Sequence, residues 1–218
     1  LEKIVTQQIF NKAKNYSQVI WDWNGTLLDD IHVVFKAIVP VFEKENIPVP
    51  TVEEYRRDFG FPVIDYYKKL GFDFSKRSFE DISDEFIKIY YSHLDEASLF
   101  KGTKELLLQL KELGIVQTVL SAASQEHLDM AIKRFGLEGI FYVVKGVSDN
   151  QAKGKMANGS SVIENSPVSK EKTLLIGDTD HDLEVGKKMG VDVLLVADGH
   201  QSYDRLKNIH ENVLESRY

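Results

Sequence analysis

The stretch Val19-Ile20-Trp21-Asp22-Trp23-Asn24-Gly25-Thr26-Leu27-Leu28-Asp29-Asp30 decides how the chain is read. Its first residues are β-branched and aromatic and predict a buried strand that runs into Asp22. Asn24-Gly25 then breaks the strand, because glycine readily takes the positive φ of a sharp turn. Asp29-Asp30 opens the next helix, with Asp30 as its expected N-cap. A carboxylate at the C-terminal end of a buried strand, followed by a polar turn, is where open α/β sheets place chemistry. An Asn-Gly hairpin would need a matching second strand, but Ile31 onward reads as helix.

Working outward, residues 1–17 put Ile4, Val5, Ile9, Phe10 and Ala13 on one face of a short leading helix. Between Ile31 and Ser98 the pattern is helical. Pro40 is expected to kink or break the first of these helices, and Thr51-Val52-Glu53-Glu54 is a capping-box start for the next. From Lys101 helices and strands alternate. Strands are expected over 115–120 (ending at Ser121), 141–147, 172–176 (running into Gly177-Asp178) and 191–196. The helices between them close at Gly114, Gly136 and Gly190, and residues 148–159 read as a loop. This alternation predicts an α/β fold, a doubly wound parallel sheet. The core would comprise residues 1–30 and 99–218, and a helical cap residues 31–98.

The 218 residues are 43% hydrophobic, carry a net charge of −7 and include no cysteine. Thiolate chemistry, disulfides and cysteine zinc sites are excluded. Mixed acidic charge argues against a nucleic-acid partner, and no apolar run approaches the ~20 residues of a membrane span. A cytoplasmic protein acting on a small molecule is expected, with monomer and homodimer both open.

All strand C-termini of such a sheet open onto one crevice. Asp22, Ser121 and Asp178 gather there, with Lys153 and Lys155 in the segment after Val147. Separate carboxylates suit Mg²⁺, a hard cation with oxygen ligands. The cation would offset the repulsion between a phosphate and a carboxylate nucleophile. Serine, lysine and turn amides would hold phosphate oxygens, and aspartate can be the nucleophile. Metal-assisted phosphoryl transfer is the chemistry expected.

In order and spacing these residues resemble the four motifs of the haloacid dehalogenase superfamily. The first, Asp-x-Asp-Gly-Thr-Leu-x-Asp, is similar to Asp22-Trp23-Asn24-Gly25-Thr26-Leu27-Leu28-Asp29. The second is similar to Val119-Leu120-Ser121, and the third is a lone lysine. The fourth is similar to Gly177-Asp178-Thr179-Asp180-His181-Asp182. The helical insertion lies where the family carries a type-1 cap, and the likeness is nearest to the phosphoglycolate phosphatase and β-phosphoglucomutase-like branch.

The resemblance implies a Mg²⁺-dependent phosphatase for a small phosphorylated metabolite, working through an aspartyl-phosphate on Asp22. It implies metal ligation by Asp22, the carbonyl of Asn24, Asp178 and Asp182. Phosphate contacts would come from Asp22, Gly25, Thr26, Ser121, Ala122 and a lysine. Lys155 is preferred over Lys153, because a short helical stretch follows it. In the cap, Arg56, Tyr66 and Tyr67 are the candidates for substrate specificity.

Asn24 departs from the family pattern. Phosphatases of the family carry an aspartate there as general acid and base, a role an amide cannot fill and one worth about 10²–10⁴-fold. An impaired or non-catalytic phosphometabolite-binding protein is therefore the alternative. On sequence alone, Asn24→Asp is expected to supply the missing group. His181 lies between two acids, whereas His32, His93, His127, His200 and His210 show no ligand spacing.

Overall fold

A computed structural model of the chain describes residues 6–147 and 153–217, with Lys153 described by its backbone alone. Strand β1 (Gln18–Trp21) is buried along its whole length. Side chains alternate across a strand, so Val19 and Trp21 join one apolar cluster and Ile20 joins another on the opposite face. A strand buried on both faces belongs inside a parallel sheet. Six strands form that sheet in the order β5-β4-β1-β6-β7-β8, all pairs parallel. They are β4 (Val116–Ser124), β5 (Val143–Val147), β6 (Thr173–Gly177), β7 (Asp192–Val196) and β8 (Val213–Leu214) around β1.

Helices α1 (Gln7–Ala13), α6 (Thr103–Glu112) and α7 (Gln125–Arg134) bury Ile9, Leu106, Leu110 and Leu128 on the Trp21 face. Helices α8 (Lys153–Glu164), α9 (Asp180–Met189) and α10 (Tyr203–Ile209) bury Val162, Leu183 and Leu206 on the Ile20 face. Trp21 pairs with Val119 of β4 and with Ile176 of β6. That register brings Asp22, Ser121 and Asp178 to one edge of the sheet.

Between β1 and β4 stand α2 (Ile31–Lys44), α3 (Val52–Asp58), α4 (Val63–Leu70) and α5 (Phe79–Ser92). They enclose a cluster of their own, built on Val34, Ile38, Phe42, Tyr55, Tyr67, Phe72 and Ile82. The chain enters this helical block through β2 (Leu28–Asp29) and leaves through β3 (Ser98–Leu99). These short strands pair antiparallel, Leu28 with Leu99 and Asp29 with Ser98.

Several expectations need correction. Helix α2 runs through Pro40 without a break. Pro40 lies on the exposed side of the helix. An interior proline costs about 3 kcal/mol. Burying each of Val33, Ile38, Val41 and Phe42 contributes about 1.5–3 kcal/mol, which outweighs that cost. Strand β4 does not end at Ser121; it continues through an irregular register to Ser124, whose hydroxyl accepts from His127 N and caps α7. Residues 153–159 are helical, not loop. Strands β2, β3 and β8 are too short to leave an alternating pattern. The leading-helix residues Ile4 and Val5 lie outside the described residues. Among the described residues no helix is long and apolar enough to cross a membrane.

Candidate active site

Asp22 follows β1 directly and is buried, its amide donating to Ile176 O at 2.9 Å. The chain then turns sharply: Trp23 O accepts from the amides of Leu27 and Leu28, both at 2.9 Å. Gly25 sits in that turn at φ +71°. A Cβ there would lie 2.3 Å from Asp178 Oδ2 and 2.6 Å from His200 Cδ2. Gly25→Ala is therefore expected to cost at least about 1 kcal/mol of unfolding free energy, read from urea melts, and to lower divalent-cation affinity in calorimetry. An unchanged melt and affinity would mean the turn yields freely.

Three buried carboxylates converge, with one oxygen each from Asp22, Asp178 and Asp182 all within 4.8 Å of one another. Lys155 Nζ, from the first turn of α8, donates to Asp22 Oδ1 and to Asp182 Oδ1. Asp182 Oδ2 accepts from Asp178 N at 3.2 Å, Thr179 N at 3.0 Å and Thr179 Oγ1 at 2.7 Å. Asp182 thus orients the β6–α9 turn and the lysine, and protein donors engage both of its oxygens. Asp178 Oδ1 accepts from Thr26 Oγ1 at 2.9 Å, and its Oδ2 from His200 N at 2.6 Å.

The charges do not balance among these groups. Burial pushes the Asp22 carboxyl up to about 8, helped by Asp182 and Asp178 against the lowering effect of Lys155. Burial also raises Asp178, against the pull of His200. Burial opposes the charge on Lys155, but Asp182 and Asp22 outweigh it and hold the ammonium above its ordinary value. Three carboxylates against one ammonium, with oxygen donors only, form a set that a hard divalent cation fits.

A second buried network adjoins the first. Asn24 Nδ2 donates to Asp30 Oδ2 at 2.9 Å and to Tyr90 OH at 2.7 Å. Tyr90 OH donates to Asp30 Oδ2 at 2.7 Å. Asp30 Oδ1 accepts from Gly25 N at 3.1 Å and lies 3.2 Å from His200 Nε2. Burial would lower the His200 imidazole, but the Asp30 carboxylate outweighs it and pushes the group up to about 9. Asp30 occupies the N-cap position of α2 without capping it; its carboxylate is turned back into the site.

Gly25 and Thr26 are not free phosphate donors. The Gly25 amide is used by Leu28 O and Asp30, and the Thr26 amide by Trp23 O. Among the described residues, the amides of Trp23 and Asn24 have no such partner. Ser121 is buried at the same sheet edge, its Oγ accepting from Ala123 N at 3.0 Å, with Ala122 half-buried beside it. Buried Arg217 braces the turn, donating to the carbonyls of Thr26 and Gly25 and lying over the Phe100 ring at 3.3 Å.

Of the specificity candidates, Tyr67 packs between Phe42 and Phe72 inside the helical block. Tyr66 is buried against Tyr55 and Phe59. Arg56 donates to the carbonyls of Gly199 and Asp198, tying α3 to the loop after β7. Among the described residues, none of the three is hydrogen-bonded or ion-paired to Asp22, Asp178 or Lys155. The side chain of Lys153 lies outside the described residues.

Sequence reasoning missed Asp30, Tyr90, His200 and Arg217. For His200 a signal existed: it follows Val196, the C-terminal end of β7, at the same edge that singled out Ser121 and Asp178.

The chain is 25% identical over 193 residues to the tyrosine-protein kinase PtkA of Mycobacterium tuberculosis, covering 85% of this chain and 64% of that protein's length. It therefore spans less than two thirds of that relative. It is 23% identical over 180 residues to the pyrophosphatase PpaX of Halalkalibacterium halodurans, covering 82% of each. The crystal structure of a predicted phosphoglycolate phosphatase from Haemophilus somnus has the same fold, at TM-score 0.68, 16% identity and coverage of 93% of this chain and 95% of that one. The family model for haloacid dehalogenase-like hydrolases matches residues 19–196, which hold both acidic strand ends, the lysine and the helical block. The chain belongs to the haloacid dehalogenase-like hydrolase family.

Proposed function

We propose that this hydrolase is a Mg²⁺-dependent phosphatase that removes phosphate from a small phosphorylated metabolite, with Asp22 as the nucleophile. The observation that carries the reading is the buried Asp22–Lys155–Asp182 contact beside Asp178, at the ends of β1 and β6. Asp22 and Asp178 would hold the Mg²⁺, with the carbonyl of Asn24, and Asp182 would stand behind them as the anchor of Lys155. When bound, the cation would supply positive charge to the phosphate and the carboxylates.

The chain's own groups do the rest. Asp22 presents a carboxylate oxygen to phosphorus. Lys155 keeps that carboxylate oriented and would meet phosphate oxygens as charge builds. Ser121 Oγ and the amides of Trp23 and Asn24 would donate to the same oxygens. The helical block, with Tyr90 reaching Asn24, would keep bulk water from the acyl phosphate until the leaving group departs.

Inorganic phosphate release from a panel of phosphorylated metabolites, with Mg²⁺ and with chelator, tests the reading. Release is expected only with the cation, and calorimetry should show Mg²⁺ binding that Asp178→Ala weakens at least tenfold. Unchanged affinity would remove Asp178 from the metal site. A phosphometabolite-binding protein is the second reading, favoured by Asn24; tight binding of the panel without phosphate release would select it.

A further inference from the structure

The surroundings of Asn24 specify an amide at that position, and that restricts what the site can cleave. The inference rests on the phosphatase reading with Asp22 as nucleophile. An asparagine amide offers two N–H donors and one carbonyl acceptor. Both Asn24 donors are used, on Asp30 Oδ2 and on Tyr90 OH. A reversed amide would set its oxygen against an Asp30 oxygen 2.9 Å away, acceptor against acceptor, so the orientation is chemically determined.

Asp30 has no donor to spare. Its Oδ2 takes Asn24 and Tyr90, and its Oδ1 takes Gly25 N and faces His200 Nε2. An aspartate at position 24 would therefore confront a second carboxylate at a half-buried position, with Tyr90 OH, among the described residues, the neighbour able to donate to it. What Asn24 leaves for a ligand is Oδ1, which accepts hydrogen bonds and cannot deliver a proton.

We propose that the substrate is a phosphoric anhydride, a diphosphate or an acyl phosphate, whose leaving group departs as a stable anion, and that Asp30 is the positioning residue that commits the site to this class. In the first step an Asp22 carboxylate oxygen bonds to phosphorus as the bond from phosphorus to the bridging oxygen breaks. The electron pair leaves with that oxygen, and no proton is transferred. In the second step a water oxygen bonds to phosphorus and the aspartyl oxygen takes back its electron pair. The water protons go to the released phosphate and to solvent. Alkyl phosphates fail at the first step, since an alkoxide needs a proton in order to leave.

The test is kcat/KM with Mg²⁺ across acetyl phosphate, pyrophosphate, nitrophenyl phosphate, phenyl phosphate and an alkyl phosphate. For the native protein a steep fall is expected along that order, with the alkyl ester below nitrophenyl phosphate by about 10²–10⁴-fold, the usual worth of a general acid. The acetyl phosphate and pyrophosphate arms separate the two kinds of anhydride.

The exchange Asn24→Asp/Asp30→Asn restores the donor–acceptor count: the new amide can accept from Gly25 and His200 and donate to the new carboxylate. It should raise kcat/KM for the alkyl phosphate relative to that for the anhydrides, whereas Asn24→Asp alone should leave that ratio where it is. A flat native series would overturn the inference while leaving the phosphatase reading intact. Equal gains from the single and double variants would remove Asp30 as the determinant. Failure to hydrolyse any member would overturn both.

Discussion

Replacing Asp22 by asparagine is expected to lower phosphate release by on the order of 10⁴-fold or more, the scale seen when a covalent nucleophile is removed. Substrate binding should change far less, because Lys155, Ser121 and the turn amides remain. The same substitution should stabilise the metal-free protein. In the folded chain the Asp22 carboxyl titrates at about 8, but in the unfolded chain near its ordinary value of about 4. Between those values the folded state holds a proton that the unfolded state has lost, so this group's contribution to stability falls as pH rises. Asparagine does not titrate. The Tm advantage of Asp22→Asn in chelator should therefore widen from about pH 4 to about pH 8, and saturating Mg²⁺, which binds the native state, should shrink it. A native protein as stable as the variant across that range would mean the cluster carries no such strain. Phosphate release at the native rate would exclude Asp22 as the nucleophile.

Lys155→Met should be the most damaging change to stability in the site. It leaves the buried Asp182 carboxylate without its cation, beside Asp22. Breaking a buried pair from one side costs about 3–5 kcal/mol, so the urea midpoint at neutral pH should drop sharply. Mg²⁺ should recover part of the loss by supplying charge to the same carboxylates. Turnover should fall by about 10²–10³-fold, the worth of one preorganised donor at a developing oxyanion. Lys155→Arg should not restore it, since a planar guanidinium does not fit a site shaped for a compact ammonium between two oxygens. A loss of under about 1 kcal/mol for Lys155→Met would argue that the lysine is not holding the cluster together.

These two residues also mark the limit of what the sequence reveals. Asp22 and Asp178 are legible because each ends an apolar run, and a parallel sheet carries all such ends to one edge. Lys155 is legible from the helical stretch that follows it. Asp30 is misread because an aspartate before a helix looks locally like an N-cap. Its actual partners, Tyr90 and His200, lie 60 and 170 residues away. Tyr90 reads as one of several inward aromatics on an amphipathic helix, and periodicity cannot say which one ends in a hydrogen bond. Tyr67 and Arg56 show what side-chain type alone leaves open: in the fold, Tyr67 packs in the helical block and Arg56 ties down a loop. Pro40 illustrates a third limit. A local rule predicts a kink or a break, but the buried face of α2 keeps the helix unbroken past it.

The pairing of β2 with β3 has a genealogical consequence. Leu28 and Leu99 face each other in an antiparallel ladder, so the chain departs and returns within about 5 Å. A deletion joining those points would leave the path of the six-stranded sheet unchanged, and a longer or differently folded insert could occupy the same doorway. The nucleophile, the lysine and the second acidic turn all lie outside the inserted segment, so an ancestor could trade inserts without rebuilding them. Asp30 and Tyr90 are exceptions, since both lie between Leu28 and Leu99, and Tyr90 bonds Asn24 and Asp30 directly. In this lineage Asn24, Asp30 and Tyr90 would then have to be inherited together, and a relative carrying a different insert would be released from keeping an amide at that position.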